Sequence, residues 1–104
     1  MSDWQQVGAE SLKVHQRMLV DLDGGTVKLL RMDVEGYYPL HPHRDRFEWI
    51  YLLEGRLETD VDGVVRVLVP GDFREFPTNA SHRLQAQAPS LALVGAISAR
   101  ETLV

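Results

Sequence analysis

Two of the four histidines, His41 and His43, stand two residues apart, Glu48 follows shortly after, and His82 lies far downstream. On an extended strand successive side chains alternate faces, so the imidazoles of a His-x-His pair project the same way from roots roughly 6 to 7 Å apart. That geometry suits two ligands of one metal ion. Glu48 follows His43 by an odd interval, which on one unbroken strand would turn it to the opposite face. A turn or bulge over Arg44, Asp45 and Arg46 would bring it back on a partner strand, facing the imidazoles. Two imidazole nitrogens and a carboxylate, without sulfur, suit iron(II), manganese, nickel, copper and zinc alike.

His82 falls in a run over 81–88 that alternates cleanly, with His82, Leu84, Ala86 and Ala88 against Arg83, Gln85 and Gln87. Alternation of this kind marks a half-exposed strand and puts His82 on its buried face. Taken alone, such a histidine is more often a satisfied core residue than a ligand. Beside a His-x-His pair and a glutamate the balance reverses, because several polar side chains on inner faces are costly to bury with nothing to coordinate. His15 is expected at the surface. Ser81 and His82 form no catalytic dyad, since neighbours on a strand point to opposite faces.

The elements that must position these residues are β-type throughout. Residues 12–22 and 26–34 are expected strands; in the second, Leu30, Met32 and Val34 share one face and Val27, Leu29 and Arg31 the other. Residues 48–53 are apolar on both faces apart from Glu48, which predicts a strand covered on both sides. Gly55 permits a sharp bend into 56–61, and Asp62-Gly63 is a hairpin signal that pairs this run with 64–69. Asp21-x-Asp23-Gly24 and Asp60-x-Asp62-Gly63 resemble the start of a calcium loop, but Met32 and Gly71 stand where the twelfth-position carboxylate belongs, so both are turns. A run over 91–98 closes the pattern. With no convincing helix, linker or repeat, a small all-β sandwich or barrel is predicted.

Composition narrows the rest. The 104 residues, 44% hydrophobic and 25% charged, fit one globular domain. The net charge of −4 and the scattered basic residues give no footprint for nucleic acid. Cysteine is absent, which removes disulfides, thiolate zinc sites and a cysteine nucleophile. The amino terminus has neither the basic nor the apolar part of a secretion signal, and the apolar run 91–97 is too short to span a bilayer, so a cytoplasmic protein is expected.

These residues together resemble a small single-domain cupin. Its first motif is Gly, five residues, His-x-His, three or four residues, Glu, six residues, Gly, and Gly36, His41, His43, Glu48 and Gly55 match it with the first gap one residue short. Its second motif is Gly, five residues, Pro-x-Gly, two residues, His, three residues, Asn. Gly71, Pro77 and His82 match, while Asn79 replaces the second glycine and Ala86 the final asparagine. Asn tolerates the left-handed backbone such a turn needs. The two motifs, 36–55 and 71–86, lie in one domain spanning 1–104. The resemblance implies a double-stranded β-helix, the jelly-roll barrel, with one divalent ion held by His41, His43, Glu48 and His82.

Two functions fit that resemblance. In one, the protein is a metal-dependent enzyme of dioxygenase, isomerase or lyase type acting on a small molecule. Tyr37, which has the parity of His41, is a candidate acid or orienting hydroxyl, and Ile50, Leu52 and Leu84 are candidate pocket residues with barrel core as their plain alternative. In the other, the domain binds or senses a ligand without turning it over, since the segment 47–57 is also similar to the carboxy-terminal cupin of helix-turn-helix regulators. A bound ion could also merely tie strands together. A homodimer is expected, because 48–53 and 91–97 are apolar on both faces and a short chain has little mass to cover an outer face.

Overall fold

The computed structural model describes residues 3–40 and 46–98. Its strands are β1 (Gln5–Gln6), β2 (Val14–Leu22), β3 (Gly25–Met32), β4 (Tyr37–Leu40), β5 (Arg46–Glu54), β6 (Leu57–Val61), β7 (Val64–Leu68), β8 (Phe73–Phe76), β9 (His82–Ala86) and β10 (Ser90–Ser98). They form two antiparallel sheets, one ordered β1-β2-β3-β10-β5-β8 and the other β4-β9-β6-β7. Apolar side chains from both sheets, among them Leu30, Met32, Ile50, Leu52, Leu57, Leu68, Phe76 and Leu84, form one core cluster. The expected all-β jelly-roll architecture is present.

Local chemistry explains the turns. Asp62 and Gly63 both adopt positive φ, 49° and 87°, as the central pair of a two-residue hairpin requires, and Asp60 accepts the Gly63 N–H on its carboxylate at 2.9 Å. Asp62 then fastens the chain ahead of β9: its N–H donates to the Ser81 carbonyl at 2.7 Å and its carboxylate accepts the Ser81 N–H at 2.8 Å. Asn79, in place of the motif glycine, takes φ 65°. At Gly55, φ is 98° and an added Cβ would collide with the Pro89 carbonyl oxygen, so the bend into β6 needs glycine on both counts.

The structure differs from the sequence reading at four points. The segment 48–53 is not covered on both sides, for Tyr51 and Leu53 are 37% and 36% exposed while Ile50 and Leu52 are buried. In 26–34 the inner set is Leu30 and Met32; Val34 lies beyond the end of β3 and is 47% exposed. β4 and β5 are not partners of one hairpin. β4 pairs with β9 and β5 with β10 and β8, so the chain changes sheets between them. His15 is half-buried, opposite Arg31 on β2 and β3.

Candidate metal centre

Glu48 and His82 reach one another from opposite sheets. Glu48 stands in β5 between Phe76 of β8 and Ala96 of β10, on the face that carries Ile50 and Leu52 into the core. His82 opens β9 between Leu40 of β4 and Val61 of β6, and the burial of β9 alternates as expected, with His82, Leu84 and Ala86 inside. Because both strands lie within their sheets, the two side chains are drawn into the interior, where His82 Nε2 lies 3.3 Å from Glu48 Oε1. Both residues are buried.

The imidazole is held on two sides. Nδ1 lies 2.9 Å from the Ala80 carbonyl, which can only accept, so Nδ1 is the donor there and Nε2 is turned toward Glu48. Phe76 stacks on the ring at 4.5 Å with an interplanar angle of 11°, covering one of its faces. Nε2 is buried without a hydrogen-bond partner among the described residues. The Glu48 oxygen is close, and in the tautomer with its proton only on Nδ1 the imidazole nitrogen and the carboxylate would turn two lone pairs toward each other. A cation between them removes that opposition and satisfies the nitrogen, which is the arrangement of a metal-ligating histidine whose other nitrogen donates to a backbone carbonyl. The donor set therefore fits a divalent ion.

His41 and His43 lie outside the described residues. Strand β4 ends at Leu40, directly opposite His82, so the described chain stops beside the site. Among the described residues no three metal-capable side chains gather; Glu48 and His82 are the two that meet. Tyr37 stands opposite Gln85, on the exposed side of β9, whereas Tyr38 stands opposite the buried Leu84 and packs against the core. The inward tyrosine of this strand is thus Tyr38. Ile50, Leu52 and Leu84 are 0%, 0% and 1% exposed, within the core cluster. Phe76 and the Ala80 carbonyl escape sequence reasoning, since an aromatic residue and a backbone oxygen carry no motif.

Comparison with known proteins follows this geometry. The cupin domain family profile matches residues 28–94. Quercetin 2,3-dioxygenase of Bacillus subtilis is 37% identical over 57 residues, which are 55% of this chain and only 17% of that protein. The structure of an RmlC-like cupin from Shewanella frigidimarina superposes with a TM-score of 0.82 at 25% identity, covering 99% of this chain and 89% of that one. The cupin domain of an XRE family transcriptional regulator from Enterobacter cloacae superposes with a TM-score of 0.75 at 18% identity, covering 82% and 96%, a likeness of fold. No helix among the described residues is long and apolar enough to cross a membrane. With both motifs lying largely inside the matched span, and with Glu48 and His82 meeting across the two sheets, this chain belongs to the cupin family.

Proposed function

We propose that this chain is a divalent-metal-dependent cupin enzyme of dioxygenase, isomerase or lyase type, with one ion held by His41, His43, Glu48 and His82. The observation that supports it is the buried, unsatisfied Nε2 of His82 facing Glu48 at 3.3 Å, with Nδ1 donating to the Ala80 carbonyl. The likeness to quercetin 2,3-dioxygenase favours an enzyme over a passive binder. When bound, the ion supplies Lewis-acid polarisation of a substrate oxygen and, if redox-active, electron transfer. The chain supplies the rest. Glu48 contributes the negative charge that retains a dication, Phe76 and Ala80 keep the His82 ring from rotating, and the apolar rows beneath exclude water.

The test is metal analysis of the purified chain, followed by turnover assays with diketones, flavonols and hydroxy acids. We expect about one divalent ion per chain, sharply reduced in His82→Ala, and turnover that falls in Glu48→Gln even after metal is restored. A wild type that takes up no metal would overturn the reading. Tight binding of a compound recovered unchanged under every metal loading would instead favour a ligand-sensing module.

The same reading includes a single domain over 1–104, a cytoplasmic setting and a homodimer. The outward residues of β5 and β10, Phe47, Trp49, Tyr51, Leu53, Leu91, Leu93 and Ile97, carry no charge, and an apolar groove of about 300 Å³ runs beside them past Val20, Leu22 and Val27. An uncharged face is self-complementary and fits a second copy about a two-fold axis. Light scattering at micromolar concentration is expected to report twice the chain mass; a monomer rejects the dimer.

A further inference from the structure

The inner face of the six-stranded sheet carries one half-buried ammonium. Lys28 stands opposite Val94, which stands opposite Ile50, so Lys28 shares the inward side with the core and with Glu48, the next inward residue before Ile50 on β5. Its Nζ donates to Gln16 Oε1 at 2.9 Å and to the Tyr38 hydroxyl at 3.4 Å, and it lies 5.7 Å from the Tyr38 ring centroid. All of these partners are neutral. Among the described residues no carboxylate lies within ion-pair distance of it.

The proton inventory of the cluster is one-sided. Gln16 and Tyr38 accept from Lys28 on their oxygens, which leaves the Gln16 amide N–H groups, the Tyr38 O–H and the remaining ammonium N–H as donors. Hydrogen-bond donors gathered around an ammonium with no carboxylate beside it, in a half-buried place, suit an anion. One positive charge matches one carboxylate; a phosphate group, nearly doubly charged, would be left partly uncompensated.

Placement connects this cluster to the centre already described. Tyr38 is the diagonal neighbour of His82, because Leu40 pairs with His82 and Tyr38 with Leu84, and such neighbours lie roughly 7 to 8 Å apart. Lys28 is two strands and one pleat repeat from Glu48, about 12 Å between Cα atoms. Small organic acids of a few carbons span such a gap. We infer that Lys28, Tyr38 and Gln16 bind the carboxylate of a small organic-acid ligand whose other end lies at Glu48 and His82. The second half of that statement rests on the proposed metal centre; the anion site does not.

Glutarate is the probe, titrated calorimetrically into the metal-free and the zinc-loaded chain. We expect Lys28→Met to weaken glutarate binding at least about tenfold, Tyr38→Phe by roughly threefold, and Lys28→Arg to stay within about threefold of wild type. The arginine variant guards against misfolding of the methionine one, and 1,5-pentanediol should bind without regard to residue 28. Equal glutarate affinity in wild type and Lys28→Met, or no glutarate binding by metal-free wild type up to tens of millimolar, overturns the inference. Tighter binding of glycerol 3-phosphate than of glutarate overturns the carboxylate assignment. Failure of wild type to take up zinc, with the glutarate pattern intact, supports the anion site and falls on the metal reading alone.

Discussion

Arg74 and Lys28 stand in one cross-strand row of the six-stranded sheet, Arg74 opposite Ile50, Ile50 opposite Val94 and Val94 opposite Lys28. Both cations are half-buried on the inward side, and both bridge to the other sheet. Arg74 on β8 donates to the Thr59 carbonyl at 3.0 Å, to Thr59 Oγ1 at 2.7 Å and to the Val64 carbonyl at 2.8 Å, so its fork is filled by the β6–β7 hairpin. Lys28 on β3 meets two neutral side chains, one of them at 3.4 Å. The difference separates structure from function. A cation whose donors end on the backbone oxygens and a buried hydroxyl of the facing sheet ties two sheets together, while one held by groups that are themselves donors is prepared for something else.

That contrast predicts a large stability effect at one end of the row. Burial, and then the neighbouring Arg66, lower the guanidinium of Arg74 below its ordinary range, with Asp60 opposing, yet an arginine stays charged at any working pH. Arg74→Met would remove the bonds to the Thr59 carbonyl, the Thr59 hydroxyl and the Val64 carbonyl. We expect a loss of about 2 to 4 kcal/mol, seen as a drop in Tm of roughly 10 to 20 °C, with zinc and glutarate binding of the folded protein unchanged. Thr59 is fully buried and its hydroxyl also donates to the Arg66 carbonyl at 2.7 Å. Thr59→Val, which keeps the shape, should cost about 1 to 3 kcal/mol by chemical denaturation. A cost below about 0.5 kcal/mol for Arg74→Met would erase the distinction between the two cations.

Much of the frame was legible because it depends on local signals. The Asp62-Gly63 hairpin, the bend at Gly55, the left-handed Asn79 and the alternation around His82 each follow from a residue type and its neighbours. What was not legible depends on pairing between distant segments. Whether Tyr37 or Tyr38 faces inward is settled by the register of β4 against β9, more than forty residues later, and a shift of one residue exchanges the two. Arg74 and Lys28 are indistinguishable in composition. Their roles appear only once β8 lies beside the β6–β7 hairpin and β3 faces β4. Strand 48–53 looked buried on both sides because Tyr51 and Leu53 are apolar enough for either environment.

At the other end of the row the stability effect should be small. Lys28→Met removes an ammonium from a half-buried position, leaves Gln16 and Tyr38 able to turn toward water, and keeps an unbranched aliphatic side chain of similar length. We expect a change within about 1 kcal/mol by urea denaturation, of either sign, because a half-buried charge without a counter-ion is not a source of folding free energy. A loss approaching that of Arg74→Met would make Lys28 a second structural tie and weaken its assignment to a ligand.

The smallest effect should come from the charge pair on the outer face of β6 and β9. Arg83 and Asp60 stand directly opposite in register and meet at 2.8 Å, but the Arg83 side chain is 58% exposed, so water and salt compete for the guanidinium. Arg83→Gln should change stability by less than about 0.5 kcal/mol, and the difference should shrink further in molar salt. Asp60 is not equivalent to its partner, because its other oxygen accepts the Gly63 N–H of the hairpin turn at 2.9 Å. Asp60→Ala should therefore cost about 1 kcal/mol that salt does not abolish, whereas Asp60→Asn retains an acceptor for the turn and should lose little. Comparing Arg83→Gln, Asp60→Asn and Asp60→Ala by urea denaturation at low and high salt isolates the turn bond from the ion pair. If Arg83→Gln and Asp60→Ala cost the same at both salt concentrations, the carboxylate's place in the turn carries no stability of its own.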